Sequence, residues 1–444
     1  MKKNSLLLLG AVLGVASASA QADNVDQLQQ AIAQAQAAAA QAQAAAAKAQ
    51  AALEQALAAA AEARKGSATV AAVPQEKSND ASLSVSKGAS TVTLYGLIDV
   101  TLSNKNNVNK AGESITAPQV AWFSGNRWGL TGSHATGFGA DDIKAIFRLE
   151  SEFESETGNM DTPGTIFNRD SWVGIESKSL GKISFGRQNA LGRDPAASAT
   201  YGDPYGPAKA SVEEGGYTNN NNFKQLIYYA GTANGTRINN GVVWKKAFSN
   251  GLVGGAAYSF GGVVGNFNTG SSATASLAYN DPSYTIAGFA TSANIANLSH
   301  QTVSIGGNIQ LNPLVRLNAG YFNYTANQKA GLGDRKDTAW TLSTKLTPGG
   351  PIDYQLGYQV MSASNAGLSG SGYVQNAYSD TSGITTTVSG DRTTMYGSVF
   401  YHLDSSTEFY LAFDHLETNG GYLAAQANGA KSADELAVGM RYKF

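Results

Sequence analysis

Apolar and polar side chains alternate with a period of two from residue 91 to the C-terminus, and few folds accommodate so long a run of this pattern. In segment 302–311, Val303, Ile305 and Ile309 fall on one face, and polar or small side chains fall on the other. Successive side chains of a β-strand point to opposite sides, so the pattern predicts strands with one apolar and one polar surface. Beyond the first twenty residues, no run of about 18 strongly apolar residues predicts a transmembrane helix.

The connections between these strands alternate between short and long. Asp281-Pro282 and Asn312-Pro313 are short, whereas connection 189–236 is the longest. Short turns at one end and longer loops at the other are typical of outer-membrane barrels, whereas a soluble β-sandwich shows no such systematic difference. We therefore predict an all-β fold, a sixteen-stranded antiparallel transmembrane β-barrel that encloses an aqueous channel. The predicted strands span residues 91–102, 120–133, 141–155, 166–177, 182–188, 237–248, 252–262, 273–280, 283–292, 300–311, 314–325, 336–347, 352–362, 392–402, 407–417 and 432–444.

One further segment, Phe223–Ala230, also has the composition of a strand. Counting it would give an odd number of strands, whereas single-chain bacterial barrels have an even number. We therefore assign it to the long connection 189–236.

The N-terminus is typical of an exported protein. Lys2 and Lys3 precede a short apolar run, and the small residues 18–20 offer a cleavage site, so we predict a signal peptide over residues 1–20, with cleavage after Ala22 as the alternative. Cysteine is absent, so disulfides do not stabilise the exported chain. The chain has 31 basic and 33 acidic residues, and the signal holds two lysines and no acid, which leaves the mature chain at −4. That mild charge does not indicate nucleic acid as a partner.

Residues 21–65 are rich in alanine and repeat every seven residues. With Val25 at heptad position a, every a and d position is apolar and every c position is polar, which predicts an α-helical coiled coil. Alanine knobs bury little area, so the coil should be weak, and a lone helix or a low-complexity spacer is the alternative. Residues 66–90 show no period and predict a flexible linker before the barrel of residues 91–444.

Six strand motifs lie in order along the chain: Thr93-Leu94-Tyr95-Gly96, Asn126-Arg127-Trp128-Gly129-Leu130, residues 166–174, Phe185-Gly186-Arg187-Gln188, Arg237-Ile238-Asn239-Asn240 and residues 438–444. Together they resemble the general porins of Gram-negative bacteria, especially the beta-proteobacterial kind. Their order and spacing cover the whole predicted barrel, and nothing upstream of about residue 90 matches the usual family pattern. The resemblance implies a homotrimer in the outer membrane, in contact with lipid and lipopolysaccharide, whose water-filled pores pass small hydrophilic solutes and ions by passive diffusion. It implies no cofactor.

The resemblance also implies a third loop that folds inward and faces wall arginines across the pore. The corresponding wall arginines are Arg127, Arg169 and Arg237, and the candidate loop acids are Asp194, Asp203, Glu213 and Glu214. Alternation places Arg127 in the lumen if Trp128 faces lipid, and Arg237 in the lumen if Ile238, Val242 and Trp244 face lipid. The resemblance alone places Arg169. Leu97 stands where enteric members have a lysine, which removes part of the basic wall.

The sequence also predicts individual roles for four other residues. Arg148 shares a face with Glu150, so it either lines the pore or pairs with that carboxylate. Arg187 shares a face with Phe185, which favours a subunit contact. Tyr442 and Phe444 resemble the aromatic C-terminal signal that the barrel-assembly machinery reads in this family.

Three other functions are alternatives to diffusion. An outer-membrane enzyme is disfavoured because the four histidines form no recognisable Ser–His–Asp arrangement, and Asp414 and His415 point to opposite sides of one strand. A substrate-specific channel is the second alternative. An envelope tether is the third, because the alanine-rich heptads resemble murein lipoprotein, and a helix over residues 24–65 would project roughly 60 Å into the periplasm towards peptidoglycan.

Overall fold

The computed structural model describes residues 82–119, 121–138, 142–197, 236–368, 374–375, 377–422 and 429–444. The signal peptide, the coiled coil and most of the linker that we predicted lie outside the described residues. So do Asp203, Glu213, Glu214 and the ambiguous segment 223–230.

The described residues form eighteen β-strands and one short helix. None of the described helices is long and apolar enough to cross a membrane. The elements are β1 (Leu83–Lys87), β2 (Ser90–Lys105), β3 (Ile115–Gln119), β4 (Asn126–Ala135), β5 (Lys144–Phe153), β6 (Asp170–Ser177), β7 (Gly181–Asn189), α1 (Arg193–Ala197), β8 (Arg237–Ala247), β9 (Leu252–Ser259), β10 (Ser272–Asn280), β11 (Tyr284–Ile295), β12 (Leu298–Asn312), β13 (Val315–Ala326), β14 (Arg335–Leu346), β15 (Ile352–Gly367), β16 (Thr387–His402), β17 (Thr407–Thr418) and β18 (Ser432–Lys443).

Antiparallel pairing between successive strands closes the sheet into a barrel. The last strand, β18, pairs with β2 over residues 97–105 and so joins the two ends of the sheet. On its other side, β2 pairs with β4 in its first half and with β3 in its second half, so β3 and β4 form one interrupted strand of the wall. Across the described residues the wall therefore has sixteen strands, which confirms the predicted barrel.

The two faces of the strands also agree with the predicted alternation. In β12, the side chain of Val303 is 58 % exposed on the outer face, whereas that of Thr302 is 1 % exposed on the inner face. The same alternation places Leu356 outside and Gln355 inside on β15. An apolar exterior suits hydrocarbon, which cannot hydrate polar groups, and the polar side chains face the lumen.

One predicted loop is much shorter than expected. We predicted a connection over residues 293–299, but β11 and β12 continue until only Ala296 and Asn297 join them. Their φ angles of 51° and 65° lie in the left-handed region, which matches the twist of a two-residue hairpin. The loop prediction was wrong because the hairpin lacks the glycine that usually marks such a turn.

The predicted linker also ends too late. Residues 83–87, which we assigned to it, form β1 and pair with residues 90–94 of β2. The main-chain groups of Phe444 bond to those of Gly96 on the same edge of β2. β1 therefore continues the wall beyond the C-terminal end of β18.

Residues 121–125, here called the inward segment, correct our second predicted strand, 120–133. They interrupt the wall between β3 and β4, and the side chains of Trp122 and Phe123 are buried. The Asp99 carboxylate accepts hydrogen bonds from the main-chain N–H groups of Phe123 at 2.9 Å and Ser124 at 3.0 Å. These bonds hold the inward segment against the inner faces of β16 and β17, where Phe123 packs 4.8 Å from the ring centres of both Phe400 and Tyr410.

Candidate pore constriction

The long connection after β7 enters the lumen at once. Its first residues, Ala190 and Leu191, pack against Ile238 and Val243 on the inner face of β8. Further along, Ala196 of α1 joins an apolar cluster with Phe289 of β11. The described start of this connection thus lies along the inner wall, as the resemblance implied for the third loop.

An ion-pair cluster occupies the wall of β4 to β6. Arg169, which directly precedes β6, forms ion pairs with the carboxylates of both Glu150 and Glu152 on β5. Tyr95 of β2 donates a hydrogen bond to Glu150 at 2.7 Å. Arg127 of β4 lies beside Glu152 in the strand register. These residues form a compact array of opposed charges with little exposure to solvent.

The three predicted wall arginines come together around this array. Arg127 and Arg237 each lie within electrostatic range of Arg169 and Glu152. Arg193 of α1 lies within electrostatic range of both Arg127 and Arg237, so the long connection after β7 contributes a charge to the same group. A guanidinium keeps its charge at neutral pH, so the four arginines provide fixed positive charge.

Among the described residues, the acids that pair with the arginine cluster lie on the barrel wall. Asp194, the one loop candidate within the described residues, forms its ion pair with Lys245 of β8. Glu150 and Glu152, on the wall itself, pair with Arg169 instead. Sequence analysis did not assign either to the constriction, although their shared face with Arg148 on one strand was a usable signal.

The alternation argument for Arg237 was wrong in one step. We assigned Ile238 to the lipid face, but its side chain is buried against Leu191 and Val243 inside the barrel. The register between β7 and β8 shifts between Gly186 and Gln188, and Asn240 adopts a φ of 50°. Such a bulge adds a residue to one strand and reverses the alternation beyond it.

Arg148 and Arg187, for which the sequence predicted individual roles, each contact nearby residues of the wall. Arg148 lies 3.9 Å from Asp170 and its guanidinium carbon sits 5.4 Å from the ring centre of Tyr95, so it both faces the lumen and pairs. Arg187 donates to the main-chain oxygen of Asn168 at 2.7 Å and to the side chain of Asn239. Leu97, opposite Arg127 in the register, is buried and contributes no charge.

A cavity of about 280 Å³ lies between this cluster and the short turns. Both charge signs line it, with Lys144, Lys182 and Glu176 towards the turns and Asp170 towards the cluster. The Lys182 ammonium lies 5.3 Å from the ring centre of Trp172. This part of the lumen can accommodate small hydrophilic molecules.

A second connection also packs inside the barrel, which sequence analysis did not anticipate. Tyr378, between β15 and β16, is buried and its hydroxyl lies 2.7 Å from that of Thr302. Its main-chain N–H donates to the Tyr324 hydroxyl at 2.9 Å, and that hydroxyl lies 2.7 Å from Nδ1 of His300. Tyr378 belongs to the same apolar cluster as Ala196, so two inward connections share one part of the wall.

At the seam of the barrel, the terminal aromatic ring covers a glycine. A β-carbon at Gly96 would lie 2.2 Å from Cζ of Phe444, so only glycine leaves room for that ring. Tyr442 stacks on Phe444 with ring centres 6.1 Å apart on the outer face. The Tyr-Gly pair thus serves both faces, because Tyr95 bonds Glu150 inside and Gly96 receives Phe444 outside.

The closed apolar-outside, polar-inside barrel defines an outer-membrane β-barrel protein. A family model described as Gram-negative porin matches residues 31–421, and the chain belongs to this family. The match begins well upstream of residue 90, so our expectation that the family pattern starts there was too narrow.

Individual relatives agree with this assignment. An outer membrane porin protein of Bordetella pertussis is 35 % identical over 131 residues, which cover 26 % of this chain and 32 % of that relative. The chain thus spans about a third of that relative's length. The anion-selective porin from Comamonas acidovorans has a TM-score of 0.59 at 19 % identity and covers 80 % of this chain and 100 % of that one. OmpT of Vibrio cholerae in its trimer form has a TM-score of 0.54 at 14 % identity, with the same coverage. The two structures show a shared fold.

Proposed function

We propose that the chain forms a water-filled channel through which small hydrophilic solutes and ions cross the outer membrane by passive diffusion. The observation that supports this proposal is the arginine–carboxylate cluster on the inner wall, with Arg193 of the long connection after β7 beside it. Opposed charges across a narrow passage orient water and polar solutes, whereas apolar solutes must disrupt that order. The family and fold indicate a channel rather than an enzyme.

The test is electrical and uses the complete mature protein. Reconstitution into a planar bilayer should give stepwise conductance increments, and proteoliposomes should swell in isotonic solutions of small sugars but not of large ones. A well-folded protein that inserts without conducting would refute the proposal. Saturable uptake of one sugar or acid, with exclusion of others of equal size, would indicate the substrate-specific alternative.

We further propose that the arginine cluster shifts the ion preference of the constriction towards anions. In the described part of the cluster, the four arginines 127, 169, 193 and 237 exceed the two glutamates 150 and 152 by two charges. The relative from Comamonas acidovorans is described as anion-selective, which agrees with this sign. Asp194, Asp203, Glu213 and Glu214 belong to our proposed constriction as counter-charges. The reversal potential in a salt gradient measures the preference directly.

Assembly as a homotrimer is proposed from the family and from the trimer form of the Vibrio cholerae protein. We propose that the barrel contacts lipid and lipopolysaccharide, and that Tyr442 and Phe444 form the signal for the barrel-assembly machinery. The beta-proteobacterial affiliation rests on the strand motifs. Trimers that resist detergent and dissociate on heating would support the assembly state, and monomers alone would oppose it.

The N-terminal organisation is proposed from sequence alone. Residues 1–20 form a signal peptide, residues 21–65 a periplasmic coiled coil and the residues between it and β1 a linker. A tethering role, in which the coiled coil contacts peptidoglycan, accompanies the channel. Sedimentation of the mature protein with purified peptidoglycan, compared with a variant that lacks residues 24–65, tests this role. Equal sedimentation of the two proteins would contradict it.

A further inference from the structure

Five charged side chains form a continuous chain of ion pairs across β14 to β18. Lys345 lies 3.0 Å from Asp353, whose carboxylate lies 3.1 Å from Nε2 of His402. The other ring nitrogen of His402, Nδ1, lies 3.1 Å from Glu408, and Glu408 pairs with Arg441. These five residues are here called the charge ladder.

The charge ladder faces the lumen near the short turns. Its members share the inner face with buried neighbours such as Gln355 on β15 and Tyr410 on β17, and outward residues such as Tyr354 alternate with them. β14 and β15 are joined by a short turn at residues 347–351, and β16 and β17 by one at residues 403–406. The arginine cluster occupies other strands, so the charge ladder is a separate group of charges on the wall.

The geometry of His402 depends on its protonation. A carboxylate only accepts hydrogen bonds, and a neutral imidazole has one N–H group, so it can donate to one of its two carboxylate partners but not to both. Only the doubly protonated ring places an N–H group opposite both carboxylates, that of Asp353 and that of Glu408. The side chain is 36 % exposed, so lumen water can exchange protons with it. Histidine is the side chain that changes charge between about pH 5 and pH 8.

The other four charges of the charge ladder cancel. Lys345 and Arg441 are positive, and Asp353 and Glu408 are negative, so the proton on His402 decides whether the charge ladder is neutral or carries one positive charge. Asp353 faces the ring from β15 and Glu408 from β17, while the ring of Phe400 stacks beneath it. In the turn that follows, the main-chain N–H groups of Ser406 and Thr407 hold the pKa of Asp404 below its usual value.

The charge ladder is also connected to the inward segment. Arg441 donates a hydrogen bond to the Ser124 hydroxyl at 2.8 Å, and its guanidinium carbon lies 5.5 Å from the ring centre of Phe123. The ion pairs thus connect side chains from β14 to the segment that projects into the lumen. The net charge of the charge ladder depends on the protonation of His402.

We infer that the charge ladder is a second selectivity element of the pore and that His402 makes it respond to pH. The inference rests on the proposed channel function. Protonation of His402 adds one positive charge to the inner wall of the barrel, where the low-dielectric wall focuses the field into the lumen and gives a charge more effect than at an open surface. The ratio of chloride to potassium permeability is therefore higher with the protonated ring than with the neutral ring, and it is compared from about pH 8 to about pH 5, the range in which histidine side chains generally change charge.

Two substitutions at His402 test this inference in opposite directions. His402→Gln is neutral at every pH and should hold the permeability ratio near its alkaline value. His402→Arg is always charged and should hold the ratio near its acidic value. His415→Gln is the matched control, because His415 also contacts two carboxylates, those of Asp434 and Glu417, but lies on the outer face of β17.

Each protein is first tested for trimers that dissociate on heating, and its reversal potential is then measured in a planar bilayer over that pH range. Loss of the pH-dependent part in both His402 variants, with its retention in the His415 variant, supports the inference. An unchanged pH response in His402→Gln overturns it. Folded proteins that give no conductance at any pH contradict the channel function itself, which is a different outcome.

Discussion

Reversing the charge of two arginines should shift the ion preference of the pore towards cations. In the described cluster, four arginines and two glutamates leave an excess of two positive charges. Arg127→Glu combined with Arg237→Glu removes two positive charges and adds two negative ones, which changes the excess to two negative charges. Because the net charge of the constriction becomes more negative by four elementary charges, the ratio of chloride to potassium permeability should fall clearly. Screening is weak at low salt, where the Debye length is about 30 Å at 0.01 M against about 10 Å at 0.1 M, so the change should be larger there.

The assay is the reversal potential of single channels in a potassium chloride gradient, measured at both salt concentrations. Lys110→Glu with Lys329→Glu is the matched control, because it makes the same charge change on exposed connections of the barrel. That control should shift the potential little, and less still at high salt. If the arginine variant forms trimers, conducts and keeps the wild-type reversal potential, Arg127 and Arg237 do not line the permeation path.

Three further outcomes follow from the structure. A variant that lacks residues 23–65 should still form heat-sensitive trimers, because the barrel closes its own main-chain hydrogen bonds, and monomers alone on an unheated gel would contradict this. Deletion of Phe444 removes the ring that covers Gly96 of β2, and Gly96→Leu displaces it, so each change should strongly reduce the amount of protein at the cell surface. Normal surface levels in whole-cell labelling would contradict this prediction. Trp122→Ala with Phe123→Ala should raise single-channel conductance by widening the lumen beside β16 and β17, and an unchanged conductance in folded trimers would show that the inward segment lies outside the path.

Much of the barrel wall was predictable because each strand carries its own two-residue pattern. The outward side chains of β12 and β15 agree with that pattern, since lipid on one side and water on the other select for it. Interruptions of the wall were not predictable. Trp122 and Phe123 have the composition of lipid-facing aromatics, and contacts from distant strands, such as that of the Asp99 carboxylate, hold the segment inside.

The candidate site was predictable in its arginines but not in their partners. Arg127, Arg169 and Arg237 stand in recognisable motifs, whereas their pairing depends on strand register, which is set by contacts distant in sequence. Arg169 bonds Glu150 and Glu152 because β5 and β6 are neighbours in that register. A bulge at Asn239 and Asn240 turned Ile238 to the inner face at the start of β8, so the alternation argument failed there.

The strand that precedes the barrel wall has a consequence for the order in which the barrel forms. β1 and β2 are joined by two residues and can pair as soon as both are exported, whereas β18 reaches β2 only after the whole chain has been threaded. Local contacts form faster than those that close a long loop. Once formed, the early hairpin covers residues 90–94 of the edge that β18 must join, and leaves residues 96–105 open. β18 therefore cannot pair with β2 beyond Gly96. A shift of β18 by two residues towards the turn between β1 and β2, which would preserve its inner and outer faces, is sterically blocked.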